Sequence, residues 1–280
     1  MPKGWSEAFA QARNHHIHII RMKTHTTPSI RRGILAACIL GLTATVSHAA
    51  VVTWGAATGI TGDSDVSTAG TLVGALNLGD TGVASATVNG VTFTGVGVAN
   101  ATTNTITSGN FTLAIGVGNF GTSNTFGAGA APFSSLSAPY RALLSSAIGD
   151  GTTPFTLTMS GLVTGQTYRF EWWTNDSIAA VNFITTATAG GVVALGSNTT
   201  AALGGVGQFA IGTFIADATT QQVITFAEGG GGSDILNGFQ LRQVAAAAVP
   251  EPSSALAGLL ALGVCLSGLG KRSRRQTAEA

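Results

Sequence analysis

The sequence predicts an all-β fold: an antiparallel β-sandwich with one short helix, set between two hydrophobic end segments. Three observations carry this. Residues 51–244 read as short runs rich in Val, Ile, Thr and Phe, separated by clusters of Gly, Asn, Asp and Ser. Of 280 residues 39 are Gly and only 9% are charged, a composition that supplies tight turns and argues against charge-driven disorder. No repeat of about 20–50 residues recurs, which argues against solenoids and propellers.

Taken in order, the chain begins with a leader. Arg31 and Arg32 precede an apolar run from Gly33 to Val46, and Ser47-His48-Ala49 follows with small residues at both ends of the triplet. Those are the parts of a secretory signal peptide, so residues 1–49 form the signal region, with cleavage expected after Ala49. The run falls short of the roughly 20 residues that span a bilayer. Met22-Lys23 would start a leader of ordinary length, which makes Met22 the expected true start.

Residues 50–244 form the secreted domain. Its expected strands are 51–54, 71–76, 84–88, 91–98, 111–117, 155–159, 166–173, 181–186, 191–195, 208–215, 222–227 and 235–244. Asn89-Gly90 is a type I′ hairpin signal, while Gly74, Gly95, Gly97, Gly116 and Gly118 mark bulges or weak strands. Residues 137–148 read as the single helix, with Ser137 as N-cap, Pro139 in the first turn, and Tyr140, Leu143, Leu144 and Ala147 on one stripe. It is expected to plug one end of the sandwich. The Gly-rich stretches 118–131 and 229–232 are loops, and no Gly-Lys-Ser/Thr follows the first, so it is no phosphate loop.

Charge and residue type narrow the chemistry. Between residues 50 and 249 only Arg141, Arg169 and Arg242 are basic, against nine acids, which leaves about −6 and no Lys. A surface of that sign repels phosphate backbones, so nucleic acid is excluded as a partner. All five His precede residue 50, and Cys38 and Cys265 lie in the hydrophobic ends. The secreted domain therefore lacks imidazole bases, thiol nucleophiles, disulfides and the usual Zn, Cu or haem ligands, and no catalytic residue is assigned.

Three groups of side chains are candidates for a site. On strand 166–173 the two-residue period separates Tyr168, Phe170 and Trp172, expected in the core, from Arg169, Glu171 and Trp173. The second set reads either as a glycan-binding platform of one ring beside an ion pair, or as a ring packed under a loop with two charges neutralising each other. Gly62-Asp63-Ser64-Asp65 offers Asp63 and Asp65 as oxygen ligands for a structural Ca²⁺, or as turn residues serving their own hydrogen bonds; it lacks the pattern of an EF-hand. Asp217 and Asp234 are further oxygen donors. No other cofactor is expected. Glu171 and Glu228 are the only Glu in the domain, so a glycan hydrolase, which needs two carboxyl groups across a cleft, is a remote alternative.

Past the domain, residues 245–254 form a linker ending in Val249-Pro250-Glu251-Pro252-Ser253-Ser254. An apolar segment, 255–270, follows, and then a basic tail, 271–280, with Lys271, Arg272, Arg274 and Arg275. The basic cluster is expected to stay cytoplasmic and leave everything before it outside. This order resembles the PEP-CTERM sorting signal of exported bacterial proteins, with Val249, Pro250, Glu251 and Pro252 as the sorting motif. The resemblance covers about the last 30 residues. It implies signal peptidase and an exosortase-type membrane protease as partners, the C-terminal segment as a transmembrane sorting helix, and delivery to the cell surface or extracellular matrix of a Gram-negative-type bacterium.

Within the domain, Ser160-Gly161-Leu162 and Gly165-Gln166-Thr167-Tyr168, followed by alternating Arg169 to Trp173, look like a hairpin of secreted jelly-roll modules. Residues 212–217 and 236–242 are similar to their closing strands. That resemblance implies a jelly-roll-like sandwich of galactose-binding-like or lectin-like type and brings no catalytic residue. The sequence thus points to a non-catalytic exported surface or matrix protein, with a carbohydrate-binding module, meeting extracellular polysaccharide, as the alternative.

Overall fold

The computed structural model describes residues 50–99, 104–115, 120–149 and 153–245. In chain order the strands are β1 (Thr53–Trp54), β2 (Thr58–Gly59), β3 (Thr71–Asp80), β4 (Ala86–Val88), β5 (Val91–Val98), β6 (Asn104–Ser108), β7 (Phe111–Ile115), β8 (Phe120–Thr122), β9 (Ala147–Gly149), β10 (Phe155–Met159), β11 (Thr167–Thr174), β12 (Ile184–Ala189), β13 (Gly191–Gly196), β14 (Gln208–Ile215), β15 (Gln222–Gly230), β16 (Ile235–Leu236) and β17 (Gly238–Val244). Among the described residues the one α-helix, α1 (Ala138–Leu144), lies between β8 and β9, and short 3₁₀ turns sit at Asp63–Asp65 and Phe133–Ser135.

The first sheet runs β1-β14-β11-β17-β3-β5-β4, with β2 also paired to β14; the second runs β13-β12-β15-β10-β7-β6; a small third sheet is β16-β9-β8. From β10 onward the chain alternates between the two large sheets: β10 lies in the second, β11 in the first, the β12–β13 hairpin in the second, β14 in the first, β15 in the second and β17 in the first. The fold is therefore all-β and sandwich-like, with antiparallel sheets and one short helix.

Alternation along the strands builds the core. On β11 the inward set Tyr168, Phe170 and Trp172 is buried to 2% exposure or less, and it meets Phe155, Leu157, Ile224 and Phe226 from the second sheet. Trp172 meets Phe226 edge-on with centroids 5.2 Å apart, and Phe111 of β7 meets Phe239 of β17 at 5.1 Å. Such pairs add about 0.5–1.5 kcal/mol each beyond the area they bury.

Four sequence expectations change. Strands 155–159 and 167–174 form no hairpin, because β10 and β11 lie in different sheets and the Gly161–Gly165 turn is an arch between them; Leu162 is buried there, and its N–H donates to the Thr220 carbonyl. The helix stops at Leu144, since Ala147–Gly149 pairs with β8 and β16 as a strand. It does not plug an end. Its apolar stripe packs on the outer face of the first sheet in a second core with Phe93, Trp173 and Phe209. The antiparallel pattern also has one exception, because β3 and β5 run parallel.

That parallel pair explains two glycines. The connection from β3 folds back over β5, where a Cβ at Gly95 would lie 2.1 Å from the Val83 carbonyl oxygen and one at Gly97 2.4 Å from that of Asp80. These positions mark close backbone approach, not a bulge. Between β4 and β5, Asn89 and Gly90 take φ of 47° and 75°, as a type I′ turn requires.

Candidate functional site

The outer face of the first sheet carries a buried polar cluster. Glu171 is 2% exposed on β11. Its Oε2 accepts from Gln240 Nε2 at 2.5 Å and from the Ser67 N–H at 3.2 Å, while Oε1 finds no hydrogen-bond donor. Burial pushes the Glu171 carboxyl up to about 7, partly offset by those two hydrogen bonds and by the Arg169 charge. Arg242 spends its guanidinium on the segment above: Nε donates to the Ala69 carbonyl at 3.1 Å, and Nη2 donates to Thr68 and Gly70 at 3.0 and 2.8 Å. Its desolvation lowers its own pKa. Together these groups clamp residues 67–70 onto the sheet.

Trp173 continues the cluster. It is 0% exposed, packs against Phe93 edge-on at 5.5 Å, and donates Nε1–H to the Tyr140 hydroxyl at 2.9 Å. Tyr140 in turn donates to Asp65 Oδ2 at 3.3 Å, and burial together with Asp65 raises its pKa well above that of a free phenol. Trp173 is therefore enclosed beneath helix α1 with no open face for a sugar, and Glu171 takes its hydrogen bonds from Gln240 and Ser67.

The acidic turn is similarly engaged. Asp65 accepts from the Thr61 N–H at 2.7 Å, the Thr61 hydroxyl at 2.6 Å and the Gly62 N–H at 2.9 Å, and Asp63 Oδ1 accepts from the Ser137 hydroxyl at 2.6 Å. Ser137 also caps α1 by accepting from the Tyr140 N–H. The two carboxylates thus tie the turn to the helix start. Among the described residues no group of three or more His, Cys, Asp or Glu is placed to hold a metal ion. Asp217 caps its own turn through Thr219, which lowers its pKa. Glu228, at the end of β15 in the second sheet, accepts from the Gly232 N–H at 2.7 Å. Glu171 and Glu228 therefore stand on different sheets. The expected sorting motif at Val249, Pro250, Glu251 and Pro252, the expected signal region 1–49 and the apolar segment 255–270 lie outside the described residues. Among the described residues no helix is long and apolar enough to cross a membrane.

The open site is elsewhere. A cleft of about 390 Å³ lies between α1 and the preceding loop, lined by Asn124, Gly127, Gly129, Phe133, Arg141 and Ser145 among others. Loop 124–131 is held from below: the Ala128 N–H donates to Ser177 Oγ at 2.7 Å, the Phe126 N–H to the Ser145 carbonyl, and a Cβ at Gly127 would press on Ser145 and Phe133. A Cβ at Gly129 would meet nothing. Arg141 enters from the helix, and its Nε is buried without an acceptor. Among the described residues no acid lines the cleft. A guanidinium lining a cleft, beside an amide, a hydroxyl and open loop backbone, is suited to a carboxylate flanked by hydroxyls. Sequence reading passed over this site because loop 118–131 has no residue type that names a ligand; the available signal was that Arg141 is one of only three cations in the domain.

No protein-family model matches the chain, and no curated protein matches it. One solved structure, described as the "structural basis for the promiscuous specificity of the carbohydrate-binding modules from the beta-sandwich super family", is 13% identical over 54% of this chain and 71% of that one. The TM-score is 0.12, too low to establish a shared fold.

Proposed function

We propose that the chain is a non-catalytic protein exported to the bacterial cell surface or matrix, and that its sandwich is a carbohydrate-binding module of jelly-roll type whose Arg141 cleft takes an acidic saccharide. The strand orders β3-β17-β11-β14 and β13-β12-β15-β10, with the chain alternating between sheets, support the jelly-roll reading. Export rests on the leader at Arg31–Ala49 and on the Val249–Pro252 motif, apolar segment and Arg cluster, which also make signal peptidase and an exosortase-type protease the expected partners. A binding role without catalysis is supported by the separation of Glu171 and Glu228 onto two sheets, with Glu171 enclosed under residues 67–70.

The observation that carries the ligand class is Arg141, one of three cations in the domain, lining a cleft in which no described residue is an acid. Titration calorimetry with oligouronates tests it. Binding should weaken at least tenfold in Arg141→Ala, be partly retained in Arg141→Lys, and fall as salt rises. Equal affinity in wild type and Arg141→Ala would contradict the assignment, and no binding to any glycan would leave a purely structural matrix protein as the better reading.

A further inference from the structure

The outer face of the second sheet is built unlike an ordinary solvent face. Its six strands contain one ionisable residue, Glu228, at the far end of β15. Threonine is the commonest residue at its outward positions, with alanine and valine at the others. Register places Thr105, Ala114, Thr156, Thr225, Thr188 and Val192 in one row across all six strands. A second row is Thr107, Thr112, Thr158 and Val223. All of these are half-buried or exposed, with Val192 at 63% and Val223 at 37%. The first sheet, by contrast, carries Arg169, Glu171, Arg242 and Asp80 on its strands.

We propose that this face docks an extended, neutral polysaccharide chain lying across the strands. Each threonine offers a hydroxyl that both donates and accepts, beside a methyl that packs against C–H groups, and a pyranose ring presents the same two features. Positions within a row repeat at the strand spacing of about 4.8 Å, close to the length of one sugar ring, so successive rings meet successive strands. A single flexible polymer can follow the sheet's twist, which a rigid crystal lattice cannot do over six strands. The absence of charge favours a neutral polymer, since an acidic one finds no cation here. A second copy of this chain is a poor occupant, because the face has no large apolar centre. No ring stacks, so each contact is weak, and affinity comes from many contacts made together along one chain.

The test is depletion of the intact secreted protein from solution by amorphous, acid-swollen cellulose and by insoluble β-1,3-glucan. Wild type should be retained on at least one of them, and soluble oligosaccharides of the same linkage should compete only as their length grows. Thr156→Lys combined with Thr188→Lys should cut retention at least tenfold. Thr156→Val with Thr188→Val, which keeps strand propensity and replaces each hydroxyl with a methyl, should cut it several-fold. Arg141→Ala should leave it unchanged, which separates this face from the acidic-saccharide cleft. Retention equal in wild type and in both double variants would overturn the proposal, as would no retention on either polymer, ice shaping in its place, or a wild-type dimer that the lysines dissociate.

Discussion

Replacing Glu171 with Gln should flatten the pH dependence of stability. In the folded protein the carboxyl is enclosed between β11, Gln240 and the Ser67 backbone, and its pKa rises from 4.5 to about 7. The folded state therefore holds this proton more tightly than the unfolded state. The stabilisation is fully present below pH 4.5 and is lost as pH rises through 7. The rise corresponds to about 3 kcal/mol, or about 7 °C in Tm for a domain of roughly 195 residues. Glutamine is a fair mimic of the protonated acid: its oxygen can take the place of Oε2, and its NH₂ would occupy the Oε1 position, which has no donor to lose. Urea unfolding of both proteins between pH 4 and 8 checks this by difference, which removes other titrating groups such as Asp176, whose pKa burial also raises. The Glu171→Gln curve should rise relative to wild type by about 3 kcal/mol across the range. Parallel curves would refute the claim that burial governs this carboxyl.

Two further substitutions test how the fold is held. Asn237, fully buried, donates to the Leu144, Ser146 and Asn175 carbonyls and accepts from the Asn175 N–H at 2.5 Å, so Asn237→Ala should cost about 3 kcal/mol in urea unfolding. A loss under about 1 kcal/mol would count against that role. Gly95→Ala should cost about 2 kcal/mol or more, because its Cβ meets the Val83 backbone, whereas Gly59→Ala, with nothing within 4 Å, should be near neutral; similar Tm values for the two would contradict the close crossover of β5.

What was legible in the sequence was local. Val91–Val98, Phe155–Met159 and Gln208–Ile215 are read correctly because alternation and flanking turn residues are contained within each segment. Asn89-Gly90 is read correctly because both residues tolerate positive φ. The short strands β8 and β9 escape because three residues carry no period, and β9 sits where the helical stripe continues through Ala147. Sheet membership is also invisible: nothing in residues 155–174 says that β10 and β11 part company after Gly161. Trp173 looks outward by parity, which it is, but its cover comes from Tyr140 and Phe93, 33 and 80 positions away in the chain. The Arg141 cleft and the threonine rows have the same character. Each residue is unremarkable alone, and only register and packing bring them together.

Export is tested by the intact mass of the protein recovered from the cell surface or medium. An exported chain has its N-terminus at Ala50 and its C-terminus near Pro252, with the apolar segment and Arg272–Arg275 removed. A full-length polypeptide in the cytoplasm, starting at Met1 or Met22 and ending at Ala280, would contradict it.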